Sequence, residues 1–81
     1  MRRAAISMPS NIAEGFRRNS KKEKSQFLRI AYASGAELET QLEISSDLGF
    51  LLQEEFVQLS YELDEIMKMM NRSITAVERQ I

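Results

Sequence analysis

The chain has 81 residues, no cysteine, no histidine, eleven basic and twelve acidic side chains, and a formal net charge of −1. These absences exclude disulfides, thiolate or imidazole metal sites, and every nucleophilic route that runs through Cys or His. A chain of this length makes one small domain, residues 1–81, burying little more than ~60% of its unfolded surface, and no apolar run approaches a membrane span.

The first predicted element contains the only proline. Met1, Ala5, Met8, Ile12 and Phe16 fall on one helical stripe that passes through Pro9 without a change of phase. Proline has no N–H and crowds the carbonyl four residues back, that of Ala5, so a kinked continuous helix is expected. The alternative is a fresh start with Asn11 as N-cap and Glu14 three residues on. On the continuous reading Ser7, Ser10, Asn11 and Glu14 share the opposite face, where they serve as glue to a neighbouring helix or as a ligand contact. Gly15 and Arg17-Arg18-Asn19 suit the helix end.

Ser20-Lys21-Lys22-Glu23 reads as the capping box of a second helix, from about Lys21 to Leu48. Its predicted core stripe is Leu28, Ala31, Gly35, Leu38 and Leu42, flanked by Phe27, Tyr32 and Ile44. The small residues from Ala31 to Ala36 predict close approach of a neighbour rather than a ligand cleft. Leu48-Gly49-Phe50 predicts a left-handed glycine stop with a contact from Phe50. The third helix has the clearest pattern: Leu52, Phe56, Leu59, Leu63, Ile66, Met70, Ile74, Val77 and Ile81, at near-heptad spacing. Met67 and Met69 widen that face, as gap-filling core. The second and third helices form an αα-hairpin, and the fold class is an all-α, up-and-down helical bundle.

Charge is unevenly spread. Residues 1–29 hold eight basic against two acidic side chains, and residues 30–81 hold three against ten. Such polarity suggests an electrostatic partner for one end, or head-to-tail complementarity between copies. Arg17, Arg18, Lys21 and Lys22 form a basic corner of the kind that holds a phosphate backbone, although only Phe16 is near for base stacking. Glu37, Glu39, Glu43 and Asp47 read as a solvated acidic face, and no phosphate-cradling glycine loop is present. A cytoplasmic, non-enzymatic protein without cofactor, metal or small-molecule substrate is expected. Its expected role is that of an oligomeric scaffold or binding module, with RNA or DNA contact through the basic corner as the alternative.

The run from Arg2-Arg3-Ala4-Ala5-Ile6-Ser7-Met8-Pro9-Ser10-Asn11 to Ile12-Ala13-Glu14-Gly15-Phe16 resembles the signature of the bacterial four-helix bundle proteins, the 23S rRNA intervening-sequence or S23 family. Ser20-Lys21-Lys22-Glu23, Ala36-Glu37-Leu38-Glu39-Thr40-Gln41-Leu42 and Leu48-Gly49-Phe50 extend the likeness over essentially the whole chain. The resemblance implies an up-and-down four-helix protomer, a ring-shaped homopentamer and no enzymatic activity. It also implies kinship with retroelement accessory proteins that bind nucleic acid beside a reverse transcriptase. Within that signature Ser7, Pro9, Ser10, Asn11, Glu14 and Gly15 are assigned to helix packing. Family members carry a helix ahead of the position of Arg2, so the expectation here is an N-terminally truncated three-helix remnant with an apolar groove left unfilled.

Overall fold

The computed structural model describes residues 2–81. Three helices follow one another: α1 (Arg2–Arg17), α2 (Lys21–Asp47) and α3 (Gln53–Glu78), and the described residues contain no strand. Each connection is only a few residues long, which turns each helix back along its predecessor. The helices α1 and α3 both lie along α2, and no Cα atom of α1 comes within 8 Å of one in α3. The Cα envelope is 44 × 20 × 14 Å, long and thin, as expected when α2 and α3 each run about 40 Å at ~1.5 Å per residue.

Local signals place the helix ends. Ser20 is extended (φ −75°, ψ 127°) and its hydroxyl accepts from the Glu23 N–H, which opens α2. The Glu23 carboxylate turns instead to Arg18, 3.6 Å away. At the other end Gly49 has φ +80°, the Phe50 N–H donates to the Ser45 carbonyl, and the Gly49 N–H donates to that of Ser46. That is a Schellman stop, as predicted. Phe50 itself is 78% exposed, however, and adds no buried anchor. Glu55 starts α3 by accepting from the Leu52 N–H at 2.9 Å.

The predicted stripe of α2 is the centre of the core: Leu28, Ala31, Gly35 and Leu42 are buried and Leu38 partly so. From α3, Leu63, Met67, Met70 and Ile74 close over it. The outer parts of the predicted α3 stripe are not core. Leu52 and Ile81 are exposed because the helix proper runs from Gln53 to Glu78 and leaves both outside it. Leu59 is 40% exposed, because no helix covers that stretch of α3 on its groove side.

The helix α1 is continuous through Pro9, so the fresh start at Asn11 is not adopted. Ala5 and Pro9 are both exposed, which leaves the carbonyl without its N–H partner on the solvent side. The rotation of α1 differs from expectation. Ala4 and Gly15 are its buried residues, with Ser7 and Asn11 between them, while Ala5 and Phe16 are exposed and Met8 and Ile12 are half-buried. Met1, the first member of the predicted stripe, lies outside the described residues. The face that turns to α2 is the one that bonds to it, Ser7 to Ser34 at 2.9 Å, and beside it an ideal Cβ on Gly15 would make ordinary 3.4 Å contacts with Leu28 Cγ and Phe27 Cβ. The small face therefore turns toward α2, and Phe16 is carried about 100° away from it.

Candidate functional site

Three features of the surface bear on function, beginning with the basic corner. Residues 18–20 join α1 to α2 and bring Arg17, Arg18, Lys21 and Lys22 to one end of the molecule. Two of the four are spoken for. Glu14 accepts from Arg17 at 3.3 Å and from Arg18 at 3.1 Å, and the Arg18 guanidinium lies 4.9 Å from the centroid of Phe27. Stacking of that kind holds Arg18 against the bundle. Lys21 and Lys22 are exposed, and among the described residues neither has an acidic partner. Arg17 keeps a side chain 78% exposed despite its ion pair. The corner can thus offer Lys21, Lys22 and Arg17 to an anion, with Arg18 as their support.

The residues of the proline-containing signature divide into three groups. Ser7, Asn11 and Gly15 face α2: the Ser7 and Ser34 hydroxyls are 2.9 Å apart, and Asn11 Nδ2 donates to the Ser7 carbonyl at 2.8 Å and to its Oγ at 3.1 Å. Ser34 is buried, so this hydrogen bond satisfies a hydroxyl that would otherwise be costly to bury. Glu14 serves the basic corner. Pro9 and Ser10 lie exposed, and among the described residues neither bonds to another helix.

At the same end of the bundle a clasp ties α3 to α2. Arg29 donates twice to Glu78, at 2.6 and 2.5 Å, and the Ser25 hydroxyl donates to the same carboxylate at 2.5 Å. The bond from Arg29, followed by that from Ser25, holds the Glu78 carboxyl down at about 2 against an ordinary 4.5. The clasp removes Arg29 from the cations available at that end. Nothing in the sequence pattern announced it, because its members stand 49 and 53 residues apart.

The third feature is an apolar groove between α1 and α3, floored by α2. Met8, Leu38, Leu42, Leu59, Leu63 and Ile66 line it, and its volume is about 300 Å³. Glu37, Glu39, Glu43 and Asp47 lie exposed along α2. Among the described residues no three carboxylates gather as a metal site would require, and no helix is long and apolar enough to cross a membrane.

A family model described as 23S rRNA-intervening sequence protein matches residues 1–72. The chain belongs to that family. The match to the 23S rRNA-intervening sequence protein family takes in the Ser7–Asn11–Gly15 face, the basic corner and every residue that lines the groove. Of the features above, Glu78 alone falls beyond it, so the clasp joins a residue outside the matched span to two within it. No curated protein and no solved structure matches the chain.

Proposed function

We propose that this member of the 23S rRNA-intervening sequence protein family is a non-enzymatic, self-associating helical scaffold of the cytoplasm. The observation that carries the reading is the uncovered groove, an apolar surface that continues the core at Leu42 and Leu63. The resemblance stated above, with its homopentamer, points the same way, and a cysteine-free chain suits a reducing compartment. One folded unit over residues 1–81 is part of the same proposal.

A second reading has its own observation: among the described residues Lys21 and Lys22 have no acidic partner, beside the exposed Arg17. On this reading the corner holds RNA or DNA by its phosphates, without sequence preference, and repetition around an oligomer strengthens a weak single site. Light scattering on the purified chain, alone and with added RNA over a range of salt, tests both. Self-association gives a mass several times that of one chain without RNA. Backbone binding gives a further complex that dissociates steeply with salt. A folded species of single-chain mass defeats the first reading, and no complex at low salt defeats the second.

A further inference from the structure

Charge sorts into two poles once the helices are in place. Residues 37–65, from the second half of α2 through the turn into α3, hold nine acidic side chains and no basic one. Residues 17–36 hold six basic side chains against Glu23 alone, and residues 66–81 hold three against Glu78 alone. The antiparallel return of α3 brings these last two segments together, since Glu78 bonds to Ser25 and Arg29, and Gly35 lies against Met67. The end of α3, which belongs to the acidic half of the chain by count, is therefore folded beside the basic start of α2. The poles occupy opposite ends of a molecule 44 Å long. The Debye length at physiological salt is about 8 Å, so the acidic end does not cancel the field of the basic one.

Both acids of the basic pole are engaged, Glu23 with Arg18 and Glu78 with Arg29. Among the described residues Lys21, Lys22, Arg72 and Arg79 have no acidic partner, and all four are exposed. Spacing sets the outer ones in two rows. Lys22 stands three residues before Ser25 and seven before Arg29, the residues of α2 that reach α3, so it shares their face. Arg72 and Arg79 are likewise seven apart, with Thr75 between them and Thr75 three residues before Glu78. The clasp is the seam between the rows.

We propose that the end of α3 is part of a polyanion surface: Arg72 and Arg79, set beside Lys22 by the Ser25–Arg29–Glu78 clasp, contact a phosphate backbone together with the corner of α1 and α2. This rests on the nucleic-acid reading and adds a second helix to its site. Two rows of cations can follow a backbone over more phosphates than the corner alone. Each phosphate neutralised releases counterions, so affinity and salt dependence rise together. Glu78 and Arg79 lie beyond the matched residues 1–72, so the family match does not supply this half of the surface.

The test compares two pairs of arginines by fluorescence anisotropy on a mixed-sequence DNA duplex, between about 50 and 200 mM salt. R72A/R79A removes the proposed contacts. R2A/R3A removes the same charge from the start of α1, where Arg3 and Glu37 line one small cleft on the side of the acidic pole. All four positions are exposed, so each variant should stay helical by circular dichroism. R72A/R79A should lower the slope of log affinity against log salt by about 2, and R2A/R3A by less than about 0.5. R72K/R79K keeps the charge and should keep the slope. An unchanged slope in R72A/R79A, or an equal loss in R2A/R3A, overturns the proposal. So does a loss in R72K/R79K as large as that of the alanine pair. In each of those cases the corner reading stands if K21A/K22A still weakens binding. A parent that binds no duplex at low salt overturns both.

Discussion

Replacing Gly35 with alanine should destabilise the protein, although the same change in an isolated helix stabilises it. Alanine gains about 1 kcal/mol of helix propensity over glycine in a helix interior. At this site a Cβ would clash with Met67 Sδ, and Met67 Cε and Met8 Sδ would each lie 3.3 Å from it. Met67 is buried, so its thioether must leave a filled position, and overpacking of that kind costs about 1–3 kcal/mol. The balance is a net loss of about 1 kcal/mol. In a Met67→Ala background the obstruction is gone, and Gly35→Ala should then stabilise by about 1 kcal/mol. The coupling between the two sites is therefore about 2 kcal/mol. Urea denaturation followed by far-ultraviolet circular dichroism measures it, at one protein concentration throughout and with an osmolyte present so that Met67→Ala remains folded. Gly15→Ala is the control: its Cβ meets ordinary 3.4 Å contacts, so it should be neutral or stabilising by up to about 1 kcal/mol. A stabilising Gly35→Ala in the parent, or coupling near zero, would refute the packing argument.

Other expected outcomes are shorter to state. The Glu78 carboxyl is lowered on folding, so the stability it contributes is complete above about 4.5 and is lost as pH falls toward about 2; Glu78→Gln should lack that part of the acid profile in pH-dependent unfolding. Gly49→Ala puts a Cβ at φ +80° in the stop of α2 and should cost about 1 kcal/mol in the same urea assay. Leu28→Ala and Met70→Ala each empty a nearly inaccessible site and should cost about 2–5 kcal/mol, whereas the exposed Phe50→Ser should stay within about 0.5 kcal/mol. For nucleic acid, Lys21→Ala with Lys22→Ala should weaken binding to all sequences alike and reduce the salt slope by about 2. Adding Arg18→Ala should change little more, since Arg18 is engaged with Glu14, Glu23 and Phe27.

What could be read from the sequence was local. Ser20 and Gly49 mark the ends of α2 through bonds to residues a few positions away, and both act as their residue types require. The α2 stripe was equally legible, because a helix buried by neighbours on two sides leaves little freedom in its apolar face. The rotation of α1 was not. Hydrophobic periodicity favoured Ala5 and Phe16, but the helix packs by its smallest side chains, where Gly15 meets Leu28 and Ser7 meets Ser34. A hydrogen bond between small side chains outweighed apolar area there. The basic corner was visible as a run of charge, yet its division into tied arginines and free lysines depends on where Glu14, Glu23 and Phe27 come to rest. The Ser25–Arg29–Glu78 clasp joins the start of α2 to the end of α3, far apart in sequence, and left no mark in any short window.

Sedimentation equilibrium of the unmodified chain in dilute buffer tests the central claim most directly. A groove continuous with the core should not remain open to water, so the mass should be a multiple of 9.3 kDa at micromolar concentration and fall on dilution. A helical, cooperatively unfolding species of 9.3 kDa across that range would contradict it.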